Sequence, residues 1–70
     1  MAKLSALHKE IILAYARNNM NISRVAEELH YHINTMQYRI AQIARTTGLN
    51  PKNFYDLCKL VEIARDDNAV

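Results

Sequence analysis

The side chains with the clearest chemical capacity fall together in the segment 33–39. Asn34 and Gln37 carry amide groups, which can form paired hydrogen bonds with adenine in the major groove of a nucleic acid. Thr35 and Arg39 carry a hydroxyl group and a guanidinium group, which can bind phosphate oxygens. If the segment is helical, these side chains lie on one side of the helix and its flanks. The pattern favours contact with a polyanion.

A helix-turn-helix can position these side chains. Asn21 is a good N-cap for a short helix over 22–29, because its side-chain oxygen can accept hydrogen bonds from the first turn. The segment 30–32 interrupts the helical period, and a longer helix is predicted over 33–47. Its inward stripe is formed by Met36, Ile40 and Ile43. Its predicted outward residues are Ile33, Asn34, Gln37, Tyr38 and Ala41, with Thr35 and Arg39 on the flanks.

Two further helices complete a predicted small all-α, four-helix domain over residues 1–70. The first helix, 4–18, starts at Ser5 or a residue near it and carries a continuous apolar stripe. Gly48 is expected to end the third helix in a left-handed conformation. The fourth helix, 53–65, begins at the cap residue Asn53 and is apolar nearly all round. Its surface is covered either by another chain or domain or by the third helix. A frayed tail is expected over 66–70.

Composition excludes several classes of protein. Seventy residues suffice for one small domain, and the single cysteine excludes an internal disulfide. Cys58 lies in a helical apolar run and is expected to be buried. No apolar run approaches the roughly 20 residues that span a bilayer, and no signal-peptide pattern is present. The chain is therefore expected to be cytoplasmic.

Charge is informative through its distribution, since the net charge is only +2. Between Leu29 and Asn53 the charged residues are Arg39, Arg45 and Lys52, and none is acidic. This distribution suits a polyanionic partner, but it is equally typical of a solvated face.

The first turn of the second helix holds Ser23 and Arg24, where a phosphate can meet free amides and the positive end of the helix dipole. The alternative is that Ser23 supports the cap and Arg24 pairs with Glu28 one turn later.

The turn His30–His32 has an HxH pattern, but two histidines without a nearby thiolate or carboxylate do not make a metal site. No metal or cofactor is therefore expected. Tyr31 is expected to close the turn over the core. His32 is placed to cap the third helix and to reach a phosphate.

A family resemblance extends over most of the chain, from about Leu7 to Ile63. The segment N-I-S-R-V-A-E-E-L-H-Y-H-I-N-T-M-Q-Y-R-I, followed by T-G-L-N-P-K-N-F, resembles the C-terminal helix-turn-helix domain of PucR-type and carbohydrate diacid regulators, which is related to the Fis-type DNA-binding domain. The most specific positions are His30, His32, Asn34, Thr35, Tyr38, Arg39 and Thr47-Gly48-Leu49.

The resemblance implies a bacterial transcription regulator that binds double-stranded DNA as a homodimer, usually with a sensory domain ahead of this module. The contacts that it carries over are Ser23 and Arg24 for phosphates, His32, Ile33, Asn34 and Thr35 at the start of the recognition helix, and Gln37, Tyr38 and Arg39 along it. The family commonly has a basic residue where this chain has Ile33, and often another at Gln37. Ile33 can contact a thymine methyl group and Gln37 can pair with adenine, whereas two missing cations would weaken binding to the DNA backbone.

Three functional interpretations follow. The first is a sequence-specific DNA-binding module, whose fourth helix is a candidate dimer contact and which needs no small molecule. The second is a helical protein-interaction or dimerisation module without DNA binding, which Ile33, Gln37 and the apolar fourth helix would suit. The third, an enzyme, is disfavoured because no catalytic constellation or phosphate-binding glycine loop is apparent. Whether the 70 residues are a fragment of a larger regulator or a complete small protein stays open.

Overall fold

A computed structural model describes residues 4–68 of the chain, with the side chains of residues 4–65. It contains four α-helices and, over the described residues, no strand. The helices are α1 (Ala6–Arg17), α2 (Ile22–Leu29), α3 (Ile33–Thr47) and α4 (Phe54–Asn68). The predicted all-α class with a helix-turn-helix is confirmed. No helix in the described part is long and apolar enough to cross a membrane.

Each helix begins at a side chain that accepts a hydrogen bond from its first turn. The capping residues are Ser5, Asn21, His32 and Asn53. The bounds of α2 and α3 coincide with those expected from the sequence. Helix α1 begins at Ala6 rather than Leu4, because Ser5 has extended backbone and accepts from the His8 amide at 3.2 Å. Helix α4 continues to Asn68 rather than ending near residue 65.

Helix ends are made by residues in the left-handed conformation. Gly48 has φ 75° and ends α3, as predicted. His30 has φ 61° and ends α2, although it is not a glycine. After α1, Asn19 and Met20 have φ 55° and 63°, and the Met20 amide donates to the Tyr15 carbonyl at 2.8 Å. These ends satisfy carbonyl groups that the helices leave free, and they turn the chain sharply.

Helix α1 is the centre of the fold, because α2, α3 and α4 all pack against it. Its Ile11, Ile12 and Ala14 are fully buried. The other helices add one buried stripe each to the same core. Those residues are Val25 and Ala26 from α2, Met36, Ile40 and Ile43 from α3, and Leu57, Leu60 and Ala64 from α4. The core is thus continuous from the helix-turn-helix through α1 to α4.

Helix α4 packs against α1 and, within the described residues, does not pack against α2 or α3. Of the two alternatives for the apolar surface of α4, the one in which it covers the third helix is therefore wrong. The connection between α3 and α4 explains this. Pro51 is buried there, and the Asn50 amide donates to the Asp56 carboxylate at 3.0 Å, so the chain turns back over α1.

Two side chains that were expected in or over the core are on the surface. Cys58 is exposed and Tyr31 is 41% exposed. Phe54, at the start of the apolar fourth helix, is 62% exposed. Cys58 and Phe54 remain uncovered because α4 has a neighbouring helix on one side only. Tyr31 follows the left-handed residue His30, which directs the chain outward instead of over the core.

Candidate nucleic-acid interface

The helix-turn-helix is formed by α2 and α3, which pack directly against each other. The turn between them is short because His30 adopts a left-handed conformation and the Tyr31 amide donates to the Ala26 carbonyl at 2.9 Å. Ala26 is 5% exposed, and its small side chain permits close packing in the core. The unit thus holds α3 with one side on the core and the other side open to solvent.

The open side of α3 is a stripe of four exposed residues at helical spacing i, i+4, i+7 and i+11. They are Asn34, Tyr38, Ala41 and Arg45, and we name this set the α3 stripe. Asn34 can donate and accept hydrogen bonds, Tyr38 adds a phenol that is 55% exposed, and Arg45 adds a positive charge. A helix that presents such a row of groups has the shape and chemistry to enter a major groove.

Gln37 is also exposed and lies beside the α3 stripe. It borders a shallow depression of about 80 Å³ whose lining includes Ile22 and Lys52. Lys52 belongs to the α3–α4 connection, so tertiary structure brings a second cation to the edge of α3. Sequence reasoning did not include Lys52 among the contact residues. The sequence did indicate this residue, since Lys52 lies in the interval from Leu29 to Asn53 that has no acidic residue.

Ile33 is not directed outward as predicted. It is half-buried and packs against the core. The reason is its spacing, because Ile33 lies three residues before Met36 and seven before Ile40, which places all three on one face. Its capacity to contact a thymine methyl group is correspondingly reduced.

Arg39 and Thr35 occupy the flank of α3, as predicted, and both are half-buried. The Arg39 Nη1 donates to Gln42 Oε1 at 3.1 Å, and its guanidinium carbon lies 5.8 Å from the centre of the Tyr38 ring. The Arg39 Nε is buried and has no hydrogen-bond partner among the described residues. These contacts fix the guanidinium group beside the α3 stripe, while the Nη N–H groups that make no hydrogen bond are available to an acceptor.

His32 caps α3 through its Nδ1, which accepts from the Asn34 amide at 3.1 Å. A neutral imidazole that accepts at Nδ1 carries its proton at Nε2. The side chain is exposed at the amino end of α3, so the Nε2–H is a donor to an external acceptor. The helix dipole favours an anion at the same place.

Ser23 and Arg24 lie in the first turn of α2, and both are exposed. The alternative pairing of Arg24 with Glu28 does not form. Glu28 instead accepts from the Arg17 guanidinium and, at 3.0 Å, from the Asn18 amide. Within the described residues the Arg24 guanidinium has no ion-pair partner, so it remains available for a phosphate.

The Glu28 contacts have an electrostatic consequence. Two hydrogen bonds hold the pKa of the Glu28 carboxyl group below its ordinary value. The larger effect comes from Arg17 and the smaller one from Asn18. Glu28 is therefore ionised, and its charge is neutralised by α1 instead of repelling a polyanion. Among residues 4–65, whose side chains the structure describes, no three His, Cys, Asp or Glu side chains are close enough together to hold a metal ion.

Comparison with known proteins finds relatives that share part of this sequence. The chain is 38% identical over 50 residues to the uncharacterized protein YxkF of Bacillus subtilis, a match that covers 71% of this chain and 16% of that protein. It is 36% identical over 45 residues to the uncharacterized protein YsfB of the same organism, covering 60% of this chain and 12% of that protein. The chain thus spans less than a fifth of the length of either relative.

No solved structure gives a significant match to the chain. Residues 9–62, however, match the family of the PucR C-terminal helix-turn-helix domain. The matched range begins within α1, contains all of α2 and α3, and ends within α4. The chain therefore belongs to the PucR C-terminal helix-turn-helix domain family.

Proposed function

We propose that this protein binds double-stranded DNA in a sequence-specific manner, with α3 in the major groove, as the DNA-binding module of a bacterial transcription regulator. The observation that supports this most strongly is the α3 stripe. It presents hydrogen-bonding groups and a cation from a rigid helix, within an interval from Leu29 to Asn53 that has no acidic residue. A major groove offers a matching arrangement of base edges between two rows of phosphates.

The residues divide into two roles. Base contacts are assigned to side chains on the open side of α3, where they can reach the groove floor: Asn34, Gln37 and Tyr38. Phosphate contacts are assigned to groups at helix amino ends, which are Ser23, Arg24 and His32, and on the flanks of α3, which are Thr35 and Arg39. They are also assigned to two cations, Arg45 in the last turn of α3 and Lys52 in the α3–α4 connection. Ile33 is assigned only a minor contact with bases because it is half-buried. Phosphate contacts position the protein, and base contacts supply specificity.

One copy presents few base contacts, so binding to a long site requires two copies. Two recognition helices related by two-fold symmetry would enter major grooves about one helical turn, or 34 Å, apart. Such a homodimer would select a palindromic sequence. This role is one of binding and not of catalysis, and it would be exercised in the cytoplasm.

The test is selection of bound DNA from a randomised duplex pool by the purified chain at two salt concentrations. Enrichment of one motif, with affinity that falls steeply as salt increases, is the expected result. A folded protein that binds no duplex at low salt would overturn the proposal.

A second candidate function is a protein-interaction module without DNA binding. One specific observation favours it, namely the exposed aromatic side chains Phe54 and Tyr55 at the start of α4. Under this alternative the open side of α3 would also contact protein. Its exposed residues are mainly polar, however, and the exposed apolar residues lie on a different helix. The pool selection separates the two functions, because only the first predicts salt-dependent duplex binding.

A further inference from the structure

The depression beside Gln37 lies where α1, α2, α3 and the α3–α4 connection meet, and we name it the Lys52 depression. Its volume is about 80 Å³, enough for a few water-sized groups such as the oxygens of one phosphate. The residues that line it come from all four parts of the chain: Tyr15, Met20, Ile22, Gln37, Ile40 and Lys52. None of these residues is acidic, so the depression suits an anion.

Tyr15 is the unusual member of this lining, because its polar group has no partner. The side chain is only 5% exposed, and its hydroxyl group makes no hydrogen bond with a described residue. In the same part of the chain, the one side-chain nitrogen or oxygen that is both fully buried and unpaired is the Arg39 Nε. The Tyr15 hydroxyl group therefore keeps a small opening to solvent, and the Lys52 depression supplies such an opening. A hydroxyl group in this position is available to an external acceptor.

Burial also fixes the protonation state of this hydroxyl group. Desolvation raises the pKa of Tyr15 above its ordinary value. The phenol thus keeps its proton at neutral pH and can donate a hydrogen bond to an anion. Tyrosine is among the side chains that donate to phosphate oxygens in complexes with DNA.

Lys52 brings a positive charge to the same place. Its backbone is fixed in the α3–α4 connection, where the Lys52 amide donates to Asn50 Oδ1 at 3.0 Å. The Asn50 amide in turn donates to Asp56 Oδ2 at 3.0 Å, and Pro51 is buried. The Lys52 ammonium group forms no ion pair with a residue that the structure describes, so it can donate to an anion in the depression.

The amino end of α2 adds a third favourable contribution. Ile22 is the first residue of α2 and lines the depression. The cap accepts from the Arg24 amide, whereas the amides of Ile22 and Ser23 have no acceptor among the described residues. Unpaired amides and the positive end of a helix dipole both attract an anion.

We propose that the Lys52 depression binds one phosphate group of the DNA backbone, with the Tyr15 hydroxyl group and the Lys52 ammonium group as donors to that same phosphate. The inference deepens the proposed function and rests on it, since it identifies a further contact with DNA. It adds a residue of α1 to an interface otherwise formed by α2, α3 and the α3–α4 connection.

The position of the depression favours a phosphate of DNA over a free phosphate. Gln37, which is assigned to a base, borders both the depression and the α3 stripe. Gln37 and Arg39 are two residues apart, so they lie on opposite sides of the stripe. A major groove is flanked by a row of phosphates on each side. Arg39 would then contact one row, and the Lys52 depression would contact the other.

The experiment compares Tyr15→Phe with the native protein in binding to the duplex that the pool selection yields. The substitution removes the hydroxyl group and keeps the ring, so we expect affinity to fall about tenfold, as for the loss of a hydrogen bond to a charged group. The slope of log affinity against log salt should not change, because no charge is removed. The matched control is Tyr55→Phe on α4, which does not line the depression and should bind as the native protein does.

Denaturant unfolding separates a contact with DNA from a role in folding. The Tyr15 hydroxyl group has no described partner in the free protein, so Tyr15→Phe should be at least as stable as the native chain. A loss of stability that accompanies the loss of affinity would assign the hydroxyl group to the fold and overturn the inference.

Replacement of single phosphates in the duplex by neutral methylphosphonates identifies the bound group. One position in each half-site should weaken binding of the native protein and of Tyr55→Phe. The Tyr15→Phe and Lys52→Ala variants should both lose their sensitivity to that position, because neither variant holds the phosphate fully. If these two variants lose sensitivity at different positions, or at none, the inference is wrong.

Inorganic phosphate tests the alternative source of the ligand. At constant ionic strength, millimolar phosphate should displace the duplex no more from the native protein than from Lys52→Ala. Preferential displacement from the native protein would assign the depression to a free phosphate and overturn the inference. A native chain that binds no duplex would contradict the proposed function together with this inference, whereas duplex binding that Tyr15→Phe leaves unchanged would contradict this inference alone.

Discussion

Helices α3 and α4 have the same length of 15 residues, and each buries one apolar stripe against the core. They differ in what remains uncovered. The open side of α3 carries Asn34, Tyr38 and Arg45, whereas the open sides of α4 carry Phe54 and Cys58. Two helices with equivalent roles in the fold thus present opposite chemistry to a partner.

This difference indicates two kinds of interaction. A polar surface is well solvated, so the open side of α3 is stable in water without a partner, as the proposed reversible contact with DNA requires. Exposed apolar side chains are unfavourable in water, so the open sides of α4, which carry Phe54 and Cys58, are better suited to a contact that persists. The comparison predicts that substitutions on the open side of α3 change DNA binding and leave the association of the protein unchanged.

The largest effect on DNA binding without a change of association is expected from Asn34→Ala. Loss of a paired contact with a base should reduce discrimination between preferred and altered DNA sites by about 1–3 kcal/mol and leave the mass in solution unchanged. Gln37→Ala should act in the same direction. Competition binding with two duplexes measures the ratio of the affinities for the preferred and the altered site. The control is Thr46→Ala, at an exposed position near the end of α3. Equal weakening of all sites would show that Asn34 does not contact a base.

A smaller and uniform effect is expected when a cation beside α3 is removed. Lys52→Ala should weaken binding to all sequences about equally and reduce the slope of log affinity against log salt by about one. Lys9→Ala removes the same charge from α1 and should leave the slope unchanged.

Arg39→Ala should also lower affinity uniformly, since its guanidinium group is assigned to a phosphate. Filter binding at several salt concentrations measures the slope for this variant and for the two lysine variants. A change of sequence preference in Arg39→Ala at unchanged overall affinity would contradict the division between positioning and base-contact residues.

His32 tests whether capping and phosphate contact are separate roles at the start of α3. His32→Ala removes the acceptor for the Asn34 amide and should destabilise the domain by about 1 kcal/mol. His32→Asn keeps a capping acceptor but removes the Nε2–H donor, so its stability should approach that of the native protein while its DNA affinity falls. Chemical denaturation and DNA titration of both variants provide the comparison. Equal DNA affinity of His32→Asn and the native chain would exclude the phosphate contact.

The smallest effect concerns the link between α1 and α2. The Arg17 guanidinium and the Asn18 amide lower the pKa of Glu28 in the folded state, so their stabilisation is present above the ordinary value of 4.5 and is lost as pH falls through the lower folded value. Arg17→Gln should therefore reduce the acid sensitivity of thermal unfolding, with little difference from the native chain at the acid end. The effect should be small because the pair is exposed, and it should shrink in high salt. If the melting temperatures of Arg17→Gln and the native chain differed by the same amount at all pH values, the assignment of the Glu28 pKa shift to Arg17 would be contradicted.

Much of the fold was predictable because local signals agree with one another. The caps Asn21 and His32 and the left-handed Gly48 are short-range features, and the stripe of Met36, Ile40 and Ile43 has one clear helical period. Such features depend on neighbouring residues in the chain, so they define α2 and α3 without knowledge of the other helices. The polar composition of the open side of α3 follows from the same period.

The errors have two origins. Ile33 was wrongly placed outward although its spacing from Met36 and Ile40 already puts it on the inward side of α3. Cys58 was wrongly placed in the interior because its burial depends on distant packing, and α4 has a neighbouring helix on one side only. Residue type and spacing show that an apolar side is present, but not which neighbouring helix covers it. Lys52 was missed for the same reason, since its position beside Gln37 depends on how the α3–α4 connection folds back.

By itself, the sequence determined the helix-turn-helix, its caps and the chemistry of the residues available on α3, because these follow from hydrogen bonding and periodicity over a few residues. Only the tertiary structure decided that α1 is the shared centre, that α4 packs on α1 and not on α3, and that Tyr15 and Lys52 line one depression. Helix packing sums weak contacts between residues far apart in the chain, so no local pattern encodes which faces meet.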